Sequence, residues 1–86
     1  MDYEKDPFKT DKPLYDHDLK YDYSKLPNCL IELIKKLEIY DKDGEWFNYD
    51  VVFEELELTS KTLYRRGYII GYDYKMLLLK YGGLYD

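Results

Sequence analysis

The chain is 86 residues long, which is room for one small domain and no more. It sets 18 acidic against 13 basic side chains, a net charge of −5, with one histidine and one cysteine, so a Cys/His zinc cluster and an internal disulfide are excluded. No run approaches the roughly 20 apolar residues that cross a bilayer, and Met1 to Asp11 mixes acids, bases and single apolar residues where a signal peptide has a charged and then an apolar stretch.

Composition divides the chain near residue 25. Residues 1–25 hold seven acids, five lysines, two of the three prolines and, besides tyrosines, only Met1, Phe8, Leu14 and Leu19 as hydrophobics. Such a segment cannot bury much by itself, so it is expected to be an extended or partly disordered acidic, tyrosine-rich arm. Residues 26–86 carry the other 23 of the 27 non-tyrosine hydrophobics and form the expected helical domain.

Helix one is expected to begin at about Pro27, whose missing N–H and preset φ suit a first turn. Leu26, Leu30, Leu33, Ile34 and Leu37 follow the i, i+3, i+4, i+7 spacing of a buried stripe, and the helix is expected to stop in Asp41-Lys42-Asp43-Gly44. Helix two runs from about Glu45 or Asn48 to Arg66, with Tyr49, Val52, Phe53, Leu56 and Leu63 on one face and Gly67 past its end. Arg65 and Arg66 in its last turn offset the helix dipole. Ile69-Ile70 is a link with no second strand to pair with. Helix three spans about Tyr72 to Tyr81 and is ended by Gly82-Gly83. The fold class is therefore all-α, a small three-helix bundle with an N-terminal arm.

Few constellations carry reactive chemistry. Asp41, Asp43, Gly44 and Glu45 resemble the opening of a calcium loop, but the glycine falls at position 4 instead of 6 and Val52 occupies position 12, so a helix-ending turn is expected. His17 between Asp16 and Asp18 offers loose divalent-ion ligands, though one histidine in an acidic arm is expected to be solvated. Cys29 beside the apolar stripe reads as a core residue. Trp46, Phe47 and Tyr49 form an aromatic knot, expected to pin the turn between helices one and two. Arg65-Arg66 alone, in an acidic chain, makes no nucleic-acid groove. No cofactor and no enzymatic activity are expected.

The surface features point to binding. Asp50, Glu54 and Glu57 recur at i, i+4, i+7, stacking three carboxylates on one face of helix two with Lys61 closing the row. Val51 and Leu58 stand off the core stripe, an apolar pair that calls for a cover. On helix three, Tyr74, Leu77, Leu78 and Tyr81 make a core face, while Tyr72, Met76 and Leu79 make a second apolar face. The arm, a second copy or a partner protein are the three candidate covers. Twelve tyrosines exceed what so small a core needs, and tyrosine is a favoured interface residue. Interleaved with acids, as at Asp16, Asp18, Tyr21, Asp22 and Tyr23, they suit a basic partner surface.

In size, acidity and this Asp/Glu/Tyr surface (Asp16, Asp18, Tyr21, Asp22, Tyr23; Asp50, Glu54, Glu57) the chain resembles the small acidic proteins of phages and mobile elements that block host nucleases, the anti-CRISPR and anti-restriction class. That resemblance implies a cytoplasmic, cofactor-free DNA mimic or other inhibitor that occupies the working surface of a basic protein such as a nuclease, without binding nucleic acid or membrane itself. The alternative expectation is a structural homodimer or larger homo-oligomer with Tyr72, Met76 and Leu79 as its seam.

Overall fold

A computed structural model of the protein describes residues 12–82; Asp2, Glu4, Asp6 and Phe8 of the arm, and Gly83, lie outside the described residues. Three helices follow one another: α1 (Asn28–Asp43), α2 (Trp46–Arg65) and α3 (Gly71–Gly82), with no strand among the described residues. The fold is a small all-α three-helix bundle.

Both inter-helix turns are built by glycine in the left-handed region. Gly44 has φ 69°; its N–H donates to the Asp41 carbonyl at 3.1 Å and the Glu45 N–H to that of Tyr40 at 2.9 Å. At the end of α2, Gly67 has φ 83°, its N–H donates to the Tyr64 carbonyl at 3.1 Å, and the Tyr68 N–H donates to that of Leu63 at 2.9 Å. This paired arrangement satisfies carbonyls that a helix end otherwise orphans, and a side chain at either glycine would be strained. Pro27 opens α1, its carbonyl accepting from the N–H groups of Leu30 and Ile31.

The stripe expected on helix one is the buried face of α1: Leu30, Leu33, Ile34 and Leu37, with Leu26 just ahead of it. These pack with Tyr49 and Leu56 of α2, Ile69 of the link, and Leu77 and Tyr81 of α3, with Val52, Phe53 and Leu63 half-buried at the edge. The ring of Phe53 lies where a Cβ on Gly82 would sit, so a side chain there would displace the ring. Helix α2 is the central element: its backbone runs close to those of both α1 and α3, whose own backbones lie farther apart.

Residues 12–25 bridge α1 and α3 on the outside of the bundle. They run without helix or strand but are fastened along their length. Leu14 is 1% exposed and belongs to the core, and its N–H donates to Asp41 Oδ1 of α1 at 2.7 Å. The Asp16 N–H donates to the Lys80 carbonyl of α3 at 2.8 Å. Lys80 Nζ, in a side chain only 8% exposed, donates back to the carbonyls of Asp16 and Leu19. Between the arm acting as a partner's docking segment and the arm as a strap, these described residues take the strap.

Three expectations about burial need correction. Cys29 is exposed, one position off the buried stripe of α1. The buried arc of α3 is Met76, Leu77, Lys80 and Tyr81, with Tyr74 and Leu78 half-buried; the strap holds Lys80 on a flank that local periodicity does not mark. Within the aromatic knot, Tyr49 is buried and Trp46 half-buried, but Phe47 is exposed, meeting Trp46 edge-on at 6.1 Å.

Candidate protein-binding surfaces

The residues expected to meet a partner fall in two places with different fates. In the strap, Asp16 accepts the N–H groups of Asp18 and Leu19 at 3.0 and 3.2 Å, a local turn in which the carboxylate replaces a backbone acceptor. Tyr21 donates its hydroxyl to Asp73 of α3 at 2.7 Å, and Tyr23 donates to Glu38 of α1 at 3.1 Å. Asp22 accepts the Ser24 N–H at 2.9 Å, and that bond holds its carboxyl below its ordinary range. Only Asp18 and Asp22 of this set are exposed.

Tyrosine and acid thus bind the strap to the helices. Burial, then the Asp73 hydrogen bond and charge, push the Tyr21 phenol well above its ordinary value; Tyr15 and Tyr23 move the same way, first through burial and then through Glu38. His17 is fastened as well. Its Nε2 lies 2.9 Å from Asp41 Oδ2 and its ring 4.3 Å from that of Tyr15, so the expected solvated histidine is half-exposed and paired with α1. Among the described residues, no three His, Cys, Asp or Glu side chains are gathered to hold a metal ion.

Helix α2 presents the opposite case. Its buried side is Tyr49, Leu56 and Ser60, the last donating its hydroxyl back to the Glu57 carbonyl at 3.1 Å. Half a turn away, Val51 and Leu58 remain 54% and 66% exposed between exposed Glu54 and Glu55, and Asp50 and Glu57, about a quarter turn from the buried side, are exposed too. Further along the helix Lys61, Arg65 and Arg66 are exposed too. The outward face of α2 is therefore acidic in its first half, basic in its last turns, and apolar along its midline.

The seam expected on α3 is divided by the structure. Met76 is 9% exposed and faces inward, while Tyr72 and Leu79 remain exposed. Tyr72 sits 6.4 Å, ring to ring, from Tyr21 of the strap. Two buried polar groups escaped sequence reasoning, Lys80 and Ser60. Lys80 had one signal, its place between Leu79 and Tyr81 in the apolar second half of the helix.

The arrangement defines a strapped three-helix bundle with one charged, partly apolar helix face turned outward. No known protein family matches the chain, and no curated protein or solved structure is significantly similar to it. Among the described residues, no helix is long and apolar enough to cross a membrane.

Proposed function

We infer that the protein is a non-enzymatic binding protein, an inhibitor or adaptor that offers an acidic face to a basic, nucleic-acid-handling protein such as a nuclease. One observation carries this reading: Asp50, Glu54 and Glu57 stand exposed on one face of α2, alongside exposed Val51 and Leu58. Four carboxylates within two turns, counting Glu55, repel one another and weaken an isolated helix slightly. A basic partner relieves that repulsion, steers its own approach by charge, and gains contact area from the two apolar side chains.

The resemblance to phage and mobile-element inhibitors of the anti-CRISPR and anti-restriction class agrees with this reading in size and surface chemistry, and it suggests a cytoplasmic setting in which exposed Cys29 stays a thiol. The strap contributes less than its sequence suggests, since Tyr21 and Tyr23 are engaged with Asp73 and Glu38. The α3 seam is weakened likewise by the burial of Met76.

The test is capture of partners from a nuclease-treated lysate at low and moderate salt, with the native chain and with Asp50, Glu54 and Glu57 changed to Lys. Recovery of one basic protein by the native chain, weakened by salt and abolished by the triple change, is the expected result. Equal recovery by both chains at both salt concentrations removes the acidic row from the account.

A further inference from the structure

The outward face of α2 complements itself. Val51 and Leu58 are seven residues apart, so they lie within about 20° of one line along the helix, and Arg65 continues that line one heptad on. Glu54 stands on one flank of the line and Lys61, seven residues later, on the same flank. All five are exposed. Acid precedes Leu58 and base follows it.

We propose that in the free protein this face is covered by a second copy of the same chain, with the two α2 helices antiparallel and Leu58 packed on Leu58 at the two-fold axis. The direction follows from charge. In an antiparallel pair centred on Leu58, residue numbers facing each other sum to about 116, and flanks of the same side meet. Glu54 of each copy then meets Lys61 of the other, with Arg65 one turn along the same groove, and this happens twice. A parallel pair sets this flank against the opposite one, so Glu54 meets Glu55 of the other copy, which repels it, and Lys61 meets the uncharged Thr62. Antiparallel helix dipoles favour the same choice.

Exposed ion pairs contribute little affinity, so their role here is to set direction and register, while burial of Leu58 and Val51 drives association. Contact from Val51 to Arg65 covers about 21 Å of helix, a small interface that gives a weak, concentration-dependent dimer. The proposal goes beyond the binding reading above and places a limit on it, because a basic partner and the second copy compete for one face.

Sedimentation of the full chain over a wide concentration range tests it. The native chain is expected to pass from monomer to dimer, Leu58→Glu to raise the dissociation constant by at least about tenfold, and Glu54→Lys or Lys61→Glu alone to weaken the dimer. The double change Glu54→Lys with Lys61→Glu, which exchanges the charges in both copies, is expected to restore it. All these positions are exposed, and circular dichroism confirms that each variant is folded before it is compared. A monomer at every concentration, a dimer that Leu58→Glu leaves intact, or a double variant no tighter than the singles overturns the proposal. Partner capture is a separate readout: a dimer without a basic partner defeats the binding reading alone, and a monomer that captures one defeats this proposal alone.

Discussion

The strap and the outward face of α2 are built from the same materials and use them in opposite ways. Both mix acids with large hydrophobic side chains, and both look like solvent-facing surface in the sequence. In the strap, Leu14 enters the core and the tyrosine hydroxyls of Tyr21 and Tyr23 find carboxylates on α3 and α1. On α2, Leu58 and Val51 enter nothing, and the carboxylates around them face outward. The lesson is that an acidic, tyrosine-rich segment need not be an interaction surface, because each phenol–carboxylate bond is equally a means of attaching an extended segment to its own bundle.

The sharpest way to test this contrast is to shorten one leucine in each region. Leu14→Ala removes a side chain that is 1% exposed among close-packed neighbours and is expected to cost about 2–5 kcal/mol. Leu58→Ala is expected to change folding stability by no more than about 0.5 kcal/mol. Urea unfolding followed by circular dichroism, at concentrations low enough to avoid association, measures both. Equal effects at the two positions would mean that the strap is not part of the folded unit.

A smaller effect is expected at Lys80, which holds the strap from the α3 side. Among the described residues its ammonium group has no carboxylate partner; it donates to the carbonyls of Asp16 and Leu19 and lies 5.3 and 5.8 Å from the ring centres of Tyr15 and Tyr81. Lys80→Met keeps the aliphatic stem and leaves two strap carbonyls without their donor, at a cost of about 1–3 kcal/mol. Hydrogen exchange locates the loss: amides of residues 14–19 are expected to exchange faster while those of α1 and α2 keep their protection. Uniformly faster exchange would show instead that strap and bundle unfold as one.

What was legible beforehand followed from local rules. Gly44 and Gly67 mark the ends of α1 and α2 because their carbonyl-satisfying turns need a left-handed residue, and the α1 stripe appears in full because a 16-residue amphipathic helix repeats its pattern often enough to be read. Cys29, Met76 and Lys80 were not legible for a different reason. Cys29 sits one residue from the stripe, where a rotation of about 100° decides burial. Lys80 is held by a segment about 60 residues earlier in the chain, and no periodicity within a 12-residue helix announces a neighbour that distant; Met76 is buried on the same flank, one turn before it. The acidic row on α2 was legible as a row, since carboxylates at i, i+4, i+7 share a face by geometry alone.

The smallest effect separates tyrosine used as a fastener from tyrosine used as filler. Tyr81 is fully buried, and its hydroxyl has no hydrogen-bond partner among the described residues, although its backbone carbonyl accepts from the Tyr49 hydroxyl at 2.6 Å. Burial, then the charge of Glu38, pushes its phenol well above the ordinary value of 10.0. The folded state therefore favours the neutral form of Tyr81, as it does for Tyr15, Tyr21 and Tyr23. The stability linked to these groups is fully present below pH 10 and falls as pH rises from there toward their folded values, because the unfolded chain releases its phenolic protons first. Tyr81→Phe keeps the ring and removes an unsatisfied hydroxyl, so it is expected to be neutral or to stabilise by up to about 1 kcal/mol at pH 7, and to make the alkaline decline shallower. Tyr21→Phe also makes that decline shallower, but it loses the bond to Asp73 and costs about 1 kcal/mol at pH 7. Urea unfolding at pH 7 and at pH 10.5 compares the two. If Tyr81→Phe destabilises as much as Tyr21→Phe at neutral pH, the Tyr81 hydroxyl is a fastener too, and the division between the buried ring and the strap's phenols fails.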